Sequence, residues 1–352
     1  MKTFKFSLVA LVATVLFAAC SNEVAVETIN GGGQEISFRL QGGTPEITTR
    51  SLATTTSTIE AFVVYGTDDV ATSNIFNGVT VARQELGGFD YNPKRYYSVG
   101  ATGAQFFAYS PVNSTLNLNI SNLDAGTLFT DASFDYVVIA PDASGNIAQE
   151  DLLVAGKSIS ENPITTASSN VSLDFKHALS RIFVKATNSL TDNVVITGLK
   201  LKNLCSTGTL TGIPATASPW EWGWAWSNRD DSIDYTYILA PTGVAVKAGT
   251  GVSAAPNNVP ALVTSMEQGM LVLPQVTTNN GDAILDAGEF ALEVTYDVGN
   301  LTGEKKLIFL PNLYPFVEGN QYAITIAFSG TDLIEIDFTI TVSPFIAVTD
   351  IP

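Results

Sequence analysis

The strictest constraint on how this chain can fold lies near its end. Ile334, Ile336, Phe338, Ile340 and Val342 alternate with Glu335, Asp337, Thr339 and Thr341. A side-chain period of two belongs to an extended strand, so this stretch predicts a β-strand with one buried and one wet face. The same period recurs. Val171, Leu173 and Phe175 alternate with Ser172, Asp174 and Lys176, and Leu292, Val294, Tyr296 and Val298 alternate with Glu293, Thr295 and Asp297. Tyr322, Ile324, Ile326 and Phe328 are spaced by two, as are Ile36, Phe38 and Leu40. Gly, Pro, Asn and Asp punctuate these runs, which predicts an all-β chain of sandwiches. The best short helical candidate is Ala148 to Ala155, and Pro163 to Asn170 is the clearest internal break.

The start of the chain reads as an address. Lys2 and Lys5 precede an uncharged run from Phe6 to Ala19, which suits a signal peptide and is short for a membrane span. It ends in Phe17-Ala18-Ala19-Cys20, which resembles the lipobox of bacterial lipoproteins, with Phe17 where leucine is usual. That resemblance implies acylation of Cys20 by several chains. One chain alone would hold weakly, at roughly 0.8 kcal/mol per buried methylene. Ser21 to Gln34 carries Gly31, Gly32 and Gly33 and reads as a tether. Beyond Leu40, Gly42, Gly43 and Pro45 stop the strand. Arg50 and Ser51 then open a polar Ser/Thr-rich run of the kind where proteolysis concentrates.

Charge and composition exclude several functions. The net charge is −17, while Lys2, Lys5, Arg39 and Arg50 balance Glu23, Glu27, Glu35 and Glu46, so the acidity belongs to the body. With no basic stripe, nucleic acid is not an expected partner. His177 is the single histidine, and no G-x-S-x-G elbow or phosphate-cradling glycine loop accompanies it. Asp282, Asp286 and Glu289 could share a calcium ion, but their spacing departs from the EF-hand loop and fits a hairpin turn better. No cofactor, metal site or enzymatic activity is expected. The second cysteine, Cys205, is expected to be a small buried apolar residue without a disulfide partner.

All four tryptophans alternate in one segment: Trp220, Trp222, Trp224 and Trp226, with Glu221, Gly223 and Ala225 between them. In a strand their rings share one face. Such a row could be a platform for a sugar, or it could pack a core. Both readings stay open at this level.

Several blocks resemble the fimbrillin family, the pilins of type V fimbriae. These are Phe62-Val63-Val64-Tyr65-Gly66, Tyr91-Asn92-Pro93-Lys94-Arg95-Tyr96-Tyr97, Phe106-Phe107-Ala108-Tyr109-Ser110-Pro111, Asp151-Leu152-Leu153-Val154-Ala155, the F-x-H-A-L-S-R run Phe175 to Arg181, and Glu318-Gly319-Asn320-Gln321-Tyr322. The resemblance implies two transthyretin-like β-sandwich domains with Greek-key connections, preceded by a lipoprotein signal and a removable strand. On this chain that gives a signal peptide at 1–19, a lipidated propeptide at 20–50, and sandwiches at 51–167 and 168–352. It also implies a lipidated precursor at the cell outer membrane and cutting by an arginine-specific protease between Arg50 and Ser51. The mature subunit of 352 − 50 = 302 residues would enter an extracellular fimbrium. Its partners would be other fimbrial subunits, joined by a donated strand for which Ile334, Ile336, Phe338, Ile340 and Val342 are the candidates. Five such side chains at roughly 1.5–3 kcal/mol each give on the order of 10 kcal/mol before ordering costs. The alternative is that this strand simply completes its own domain. A second functional class also fits the leader: a surface lipoprotein that stays anchored and binds a glycan or host protein.

Overall fold

The computed structural model describes residues 33–40, 59–85, 88–112, 117–119, 128–138, 149, 151–164, 170–217, 221–237, 243–249, 257–258, 270–281, 284–286, 289–330 and 335–344. Every described element is a strand.

Two hydrophobic cores share one sheet. The strand Gly103–Ser110 lies in the middle of a six-stranded sheet, and all eight of its residues are buried. Its neighbours run in the order Lys176–His177, Leu153–Ser160, Gly103–Ser110, Ala61–Asp68, Phe76–Arg83 and Phe89–Asp90. Side chains leave a strand on alternate faces. Phe62, Val64, Phe106, Ala108 and Leu153 therefore enter the first core, while Val63, Phe107, Tyr109 and Val154 enter the second. A sheet covered on both faces needs continuous apolar runs rather than alternation. That is why Phe106-Phe107 and Leu152-Leu153-Val154-Ala155 are uninterrupted. It also corrects the helical expectation at Ala148 to Ala155, because Leu153–Ser160 is a strand. A short apolar run does not separate a buried strand from a buried helix by periodicity.

The first core is closed on its far side by a two-stranded parallel sheet, Ser37–Leu40 against Asn170–Leu173. The second core lies between two larger sheets. One is built on the twenty-residue strand Val194–Ile213, which pairs with Gly223–Tyr237, Ala132–Val137, Ala291–Val298 and Val244–Val246. The other places Ser180–Asn188 parallel to Asn320–Ser329, with the last strand, Glu335–Pro344, on the outer edge.

The chain does not change cores at a single break. Phe129 and Phe134 already belong to the second core, whereas Val171, Leu173 and Phe175 return to the first. Ala178 and Leu179 enter the second for good. The alternating run at 171–175 thus supplies the wall of the first core.

Candidate functional site

Ile36, Phe38 and Leu40 point to one face because they are two residues apart. Ile36 is 0% exposed and Phe38 is 4% exposed; Leu40 is half-buried at the end of the run. Phe38 occupies an aromatic box. Its ring centroid lies 5.9 Å from Phe62, 5.3 Å from Phe76, 5.9 Å from Tyr91 and 5.9 Å from Phe106, in edge-to-face arrangements. Such pairs add to the area term. Two fully buried side chains at roughly 1.5–3 kcal/mol each, and a third in part, make this segment a substantial piece of the first core.

Main-chain bonds hold the segment on two sides. Phe38 faces Val171 and Leu40 faces Leu173 in the parallel ladder. On the other flank the Ile36 N–H donates to the Arg95 carbonyl at 3.0 Å, and the Tyr97 N–H donates to the Gln34 carbonyl at 3.1 Å. The Tyr91 hydroxyl donates to the Ile36 carbonyl at 2.5 Å. Burial pushes the Tyr91 hydroxyl pKa up to about 12, so it keeps its proton across the physiological range. At the entrance, Gly33 passes so close to Tyr97 that a Cβ would sit 2.1 Å from its carbonyl oxygen. Lys94 bridges Glu35 at 3.1 Å on the exposed rim. Segment 33–40 is therefore a plug in a trough walled by Asn170–Leu173 and the Tyr91 to Tyr97 block. The sequence block around Tyr91 was legible as a family feature, but its clasping role was not; nothing in its spacing singles out a hydroxyl aimed at Ile36.

The last strand is held differently. It pairs antiparallel with Asn320–Ser329 along its full length and lies at the sheet edge. Ile336, Phe338 and Ile340 are half-buried against the second core, and Val342 is 47% exposed. Ile334 lies outside the described residues, as do Cys20, Arg50, Ser51 and Trp220.

Trp222 and Trp226 are buried, and Trp224 is half-buried. Their rings do share one face, with Gly223 and Ala225 exposed on the other. Trp222 packs on Phe107 at 5.8 Å, Trp224 stacks on Phe134 at 5.9 Å, and Trp226 meets Tyr136 at 6.1 Å. The Trp226 N–H donates to the Ala178 carbonyl at 2.7 Å. Glycines make room: a Cβ on Gly156 would lie 2.2 Å from Trp222, and one on Gly212 would lie 2.4 Å from Trp224. Trp222 and Trp226 lie in the core and Trp224 packs against it, the arrangement of the packing reading.

Other candidates resolve into structure. His177 Nδ1 lies 2.8 Å from Oδ2 of buried Asp151. Nearby Arg181 is 0% exposed and its guanidinium donates to Gln321 at 2.8 Å. Burial pulls the Arg181 pKa down to about 10. Glu289 accepts from the Asn280 and Asp286 N–H groups at 2.6 and 3.0 Å, so it ties a turn. Among the described residues no cluster of metal-ligating side chains forms. Cys205 is half-buried with a free thiol, and burial raises its pKa.

The described sheets define an all-β protein in which the strand Ser37–Leu40 is seated apart from the larger sheets. The chain belongs to the fimbrillin-like family, whose model matches residues 48–342. It is a structural protein of fimbriae, not an enzyme. Solved structures agree in fold. A fimbrial protein from Bacteroides vulgatus matches with a TM-score of 0.57 and 16% identity, covering 89% of this chain and 99% of that one. A proposed cell adhesion protein from Bacteroides uniformis matches at 0.50 and 15%, covering 89% and 98%. No curated protein matches the sequence.

Proposed function

We propose that this fimbrial subunit is exported with lipid on Cys20, is cut after Arg50 by an arginine-specific protease, and polymerises when a strand from a neighbour replaces the plug. The observation that carries this reading is the enclosure of Ile36 and Phe38 in the first core by a segment outside the six-stranded sheet. Losing that segment would leave a parallel edge at Asn170–Leu173 unpaired and an aromatic box empty. An open edge above an apolar trough invites another strand, which is how donor strands bind.

The cut explains the timing. While the chain is intact the plug is an intramolecular ligand, governed by an effective concentration rather than by bulk dilution. After cleavage it becomes a free peptide that dilutes away, and a neighbour can compete. Arg39 is a poor rival for the cut because its backbone is paired with Ser172 in the ladder, whereas a protease needs an extended, released chain. The family match begins at residue 48, near Arg50 and beyond the plug, which fits a body that functions without it. Head-to-tail exchange does not close, so it yields a filament. The lipidated precursor would sit in the outer membrane and the mature subunit in an extracellular fimbrium that supports adhesion.

Arg50→Ala tests the trigger. The variant should be exported, folded and lipidated but should form no polymer. Fibres assembled by this variant at the wild-type level would remove cleavage at Arg50 from the account.

A further inference from the structure

The F-x-H-A-L-S-R run, Phe175 to Arg181, has no role in the exchange reading, although it holds buried polar groups and follows directly on the trough wall Asn170–Leu173. Among the described residues that wall has a single ladder partner, the plug strand Ser37–Leu40. Once the plug leaves, the wall keeps none of those ladder bonds. The run behind it is tied down on several sides. Phe175 packs on Phe62 at 5.3 Å in the first core. Lys176–His177 pairs with Leu153 and Val154 of the six-stranded sheet, and the Ala178 N–H donates to the Leu152 carbonyl at 2.8 Å. The Ala178 carbonyl accepts from the Trp226 N–H at 2.7 Å. The Ser180 hydroxyl donates to the Val317 carbonyl at 2.8 Å, and the Gly319 N–H donates to the Leu179 carbonyl at 3.0 Å. Among these ties, His177 Nδ1 meets Oδ2 of Asp151 at 2.8 Å, with the two side chains 10% and 0% exposed. A carboxylate accepts, so Nδ1 carries the proton that faces it. The other Asp151 oxygen is buried with no hydrogen-bond partner among the described residues, so His177 is the donor that steadies this buried acid. None of these partners belongs to the plug segment 33–40.

We infer that His177 is a positioning residue for strand entry: through Asp151 it holds the wall Asn170–Leu173 in its bound place after the plug has left. This rests on the exchange reading above and adds the device that keeps the emptied trough open. In the uncut chain the wall is held twice, by the plug ladder and by the pin at 175–181. In the cut body the pin alone holds it, at the end where the wall runs into Phe175. A wall already in place spares the incoming strand the cost of ordering it, which is the advantage of a preorganised site. It also keeps association fast, because binding that requires a change of conformation is slow. The second oxygen of Asp151 explains why a histidine serves here. Its donor must reach a fully buried acid from a strand whose own main chain is already committed to Leu153 and Val154.

Rebinding of the plug measures the state of the wall without depending on which strand replaces it. The full-length chain would be purified intact, cut with an arginine-specific protease and freed of the released segment at high dilution, where subunits seldom meet. A fluorescein-labelled peptide of residues Gly33–Gly42 is then added and its association followed by fluorescence anisotropy. The wild-type body should bind it. The His177→Ala body should bind at least about tenfold more weakly, with the loss in the association rate. His177→Asn keeps an N–H donor near the place of Nδ1 and should restore binding to within about twofold of wild type. Ile308→Val, a second-core change on a strand apart from wall and pin, should leave binding as it is. Where His177→Ala does not give a folded body, Ser180→Ala removes a single hydroxyl from the pin and should slow association by itself. Wild-type association rates in whichever of these two variants folds would overturn the inference. So would a His177→Asn body as defective as His177→Ala, or an Ile308→Val body that loses as much as either. If no body, wild type included, binds the plug peptide, the exchange reading fails and this inference falls with it.

Discussion

Phe38 and Phe338 stand at the centres of two short strands with one sequence pattern and opposite settings. Phe38 is ringed by four aromatic side chains inside the first core, on a segment paired along one side and clasped by Tyr91, Arg95 and Tyr97 on the other. Phe338 lies half-buried at the rim of the second core, on a strand that among the described residues pairs only with Asn320–Ser329. Alternation therefore identifies a strand that can fill a trough, but not whether it does. That depends on how many sides the surrounding chain closes. The plug is the better-buried element although the family match begins beyond it, whereas the last strand lies almost wholly within that match and leaves an edge open.

The largest effect expected from this contrast is on stability. Phe38→Ala in the uncut chain should lower unfolding free energy by about 3–5 kcal/mol, the range for truncating a phenylalanine in a closed core. Phe338→Ala should lower it by only about 1–2 kcal/mol, because the ring is already partly exposed at the sheet edge. Denaturant titration of the two variants measures both; equal losses would erase the distinction between plug and edge. A change remote from both strands sets the scale. Gly156→Ala drives a methyl group into Trp222 and should cost about 1–3 kcal/mol, while Gly223→Ala, on the exposed face of the tryptophan strand with nothing within 4 Å, should be close to neutral.

Smaller effects sharpen the comparison at the clasp. Tyr91→Phe removes one buried hydrogen bond to the Ile36 carbonyl and should loosen the plug by about 1 kcal/mol, leaving the last strand untouched. The hydroxyl's raised pKa gives the same bond a pH signature. Its contribution is fully present below the ordinary tyrosine value of 10.0 and fades as pH rises toward about 12, since the folded state holds the proton more tightly than the unfolded one. Amide exchange at Asn170–Leu173 should therefore accelerate in that window beyond the change at Asn320–Ser329. The least effect is expected from Lys94→Ala. It removes exposed ion pairs to Glu35 and Asp90 and should barely move the melting temperature of the uncut chain.

Much of this was legible in sequence where one face is wet. The alternations at 36–40, 171–175, 292–298, 322–328 and 334–342 all fall in or beside strands, because half-burial imposes period two. The strands buried on both faces lose that signal, which is why the sequence of Ala148 to Ala155 suits a short helix although Leu153–Ser160 is a strand. The long strand Val194–Ile213 stayed hidden for another reason. Register shifts between Leu201 and Leu204 and between Thr207 and Thr209 break its phase, and its inward positions include Gly208 and Gly212. Those glycines are apolar positions in function, since the rings of Trp226 and Trp224 occupy the space their side chains would take. Read alone, each half is uninformative; together they describe one packed layer. The tryptophan row was visible, but its destination depended on partners over a hundred residues away, such as Phe107. Likewise, that the plug pairs with Asn170–Leu173 and does so in parallel could not be derived from either segment by itself.

Hydrogen exchange at Asn170–Leu173 tests the central claim most directly, followed in the intact precursor, in the freshly cut monomer and in the fibre. A trough that is plugged, emptied and refilled predicts slow exchange, then fast, then slow again. Exchange that stays equally slow when the cut monomer has shed residues 1–50, or a fibre in which this segment remains fast, would contradict it.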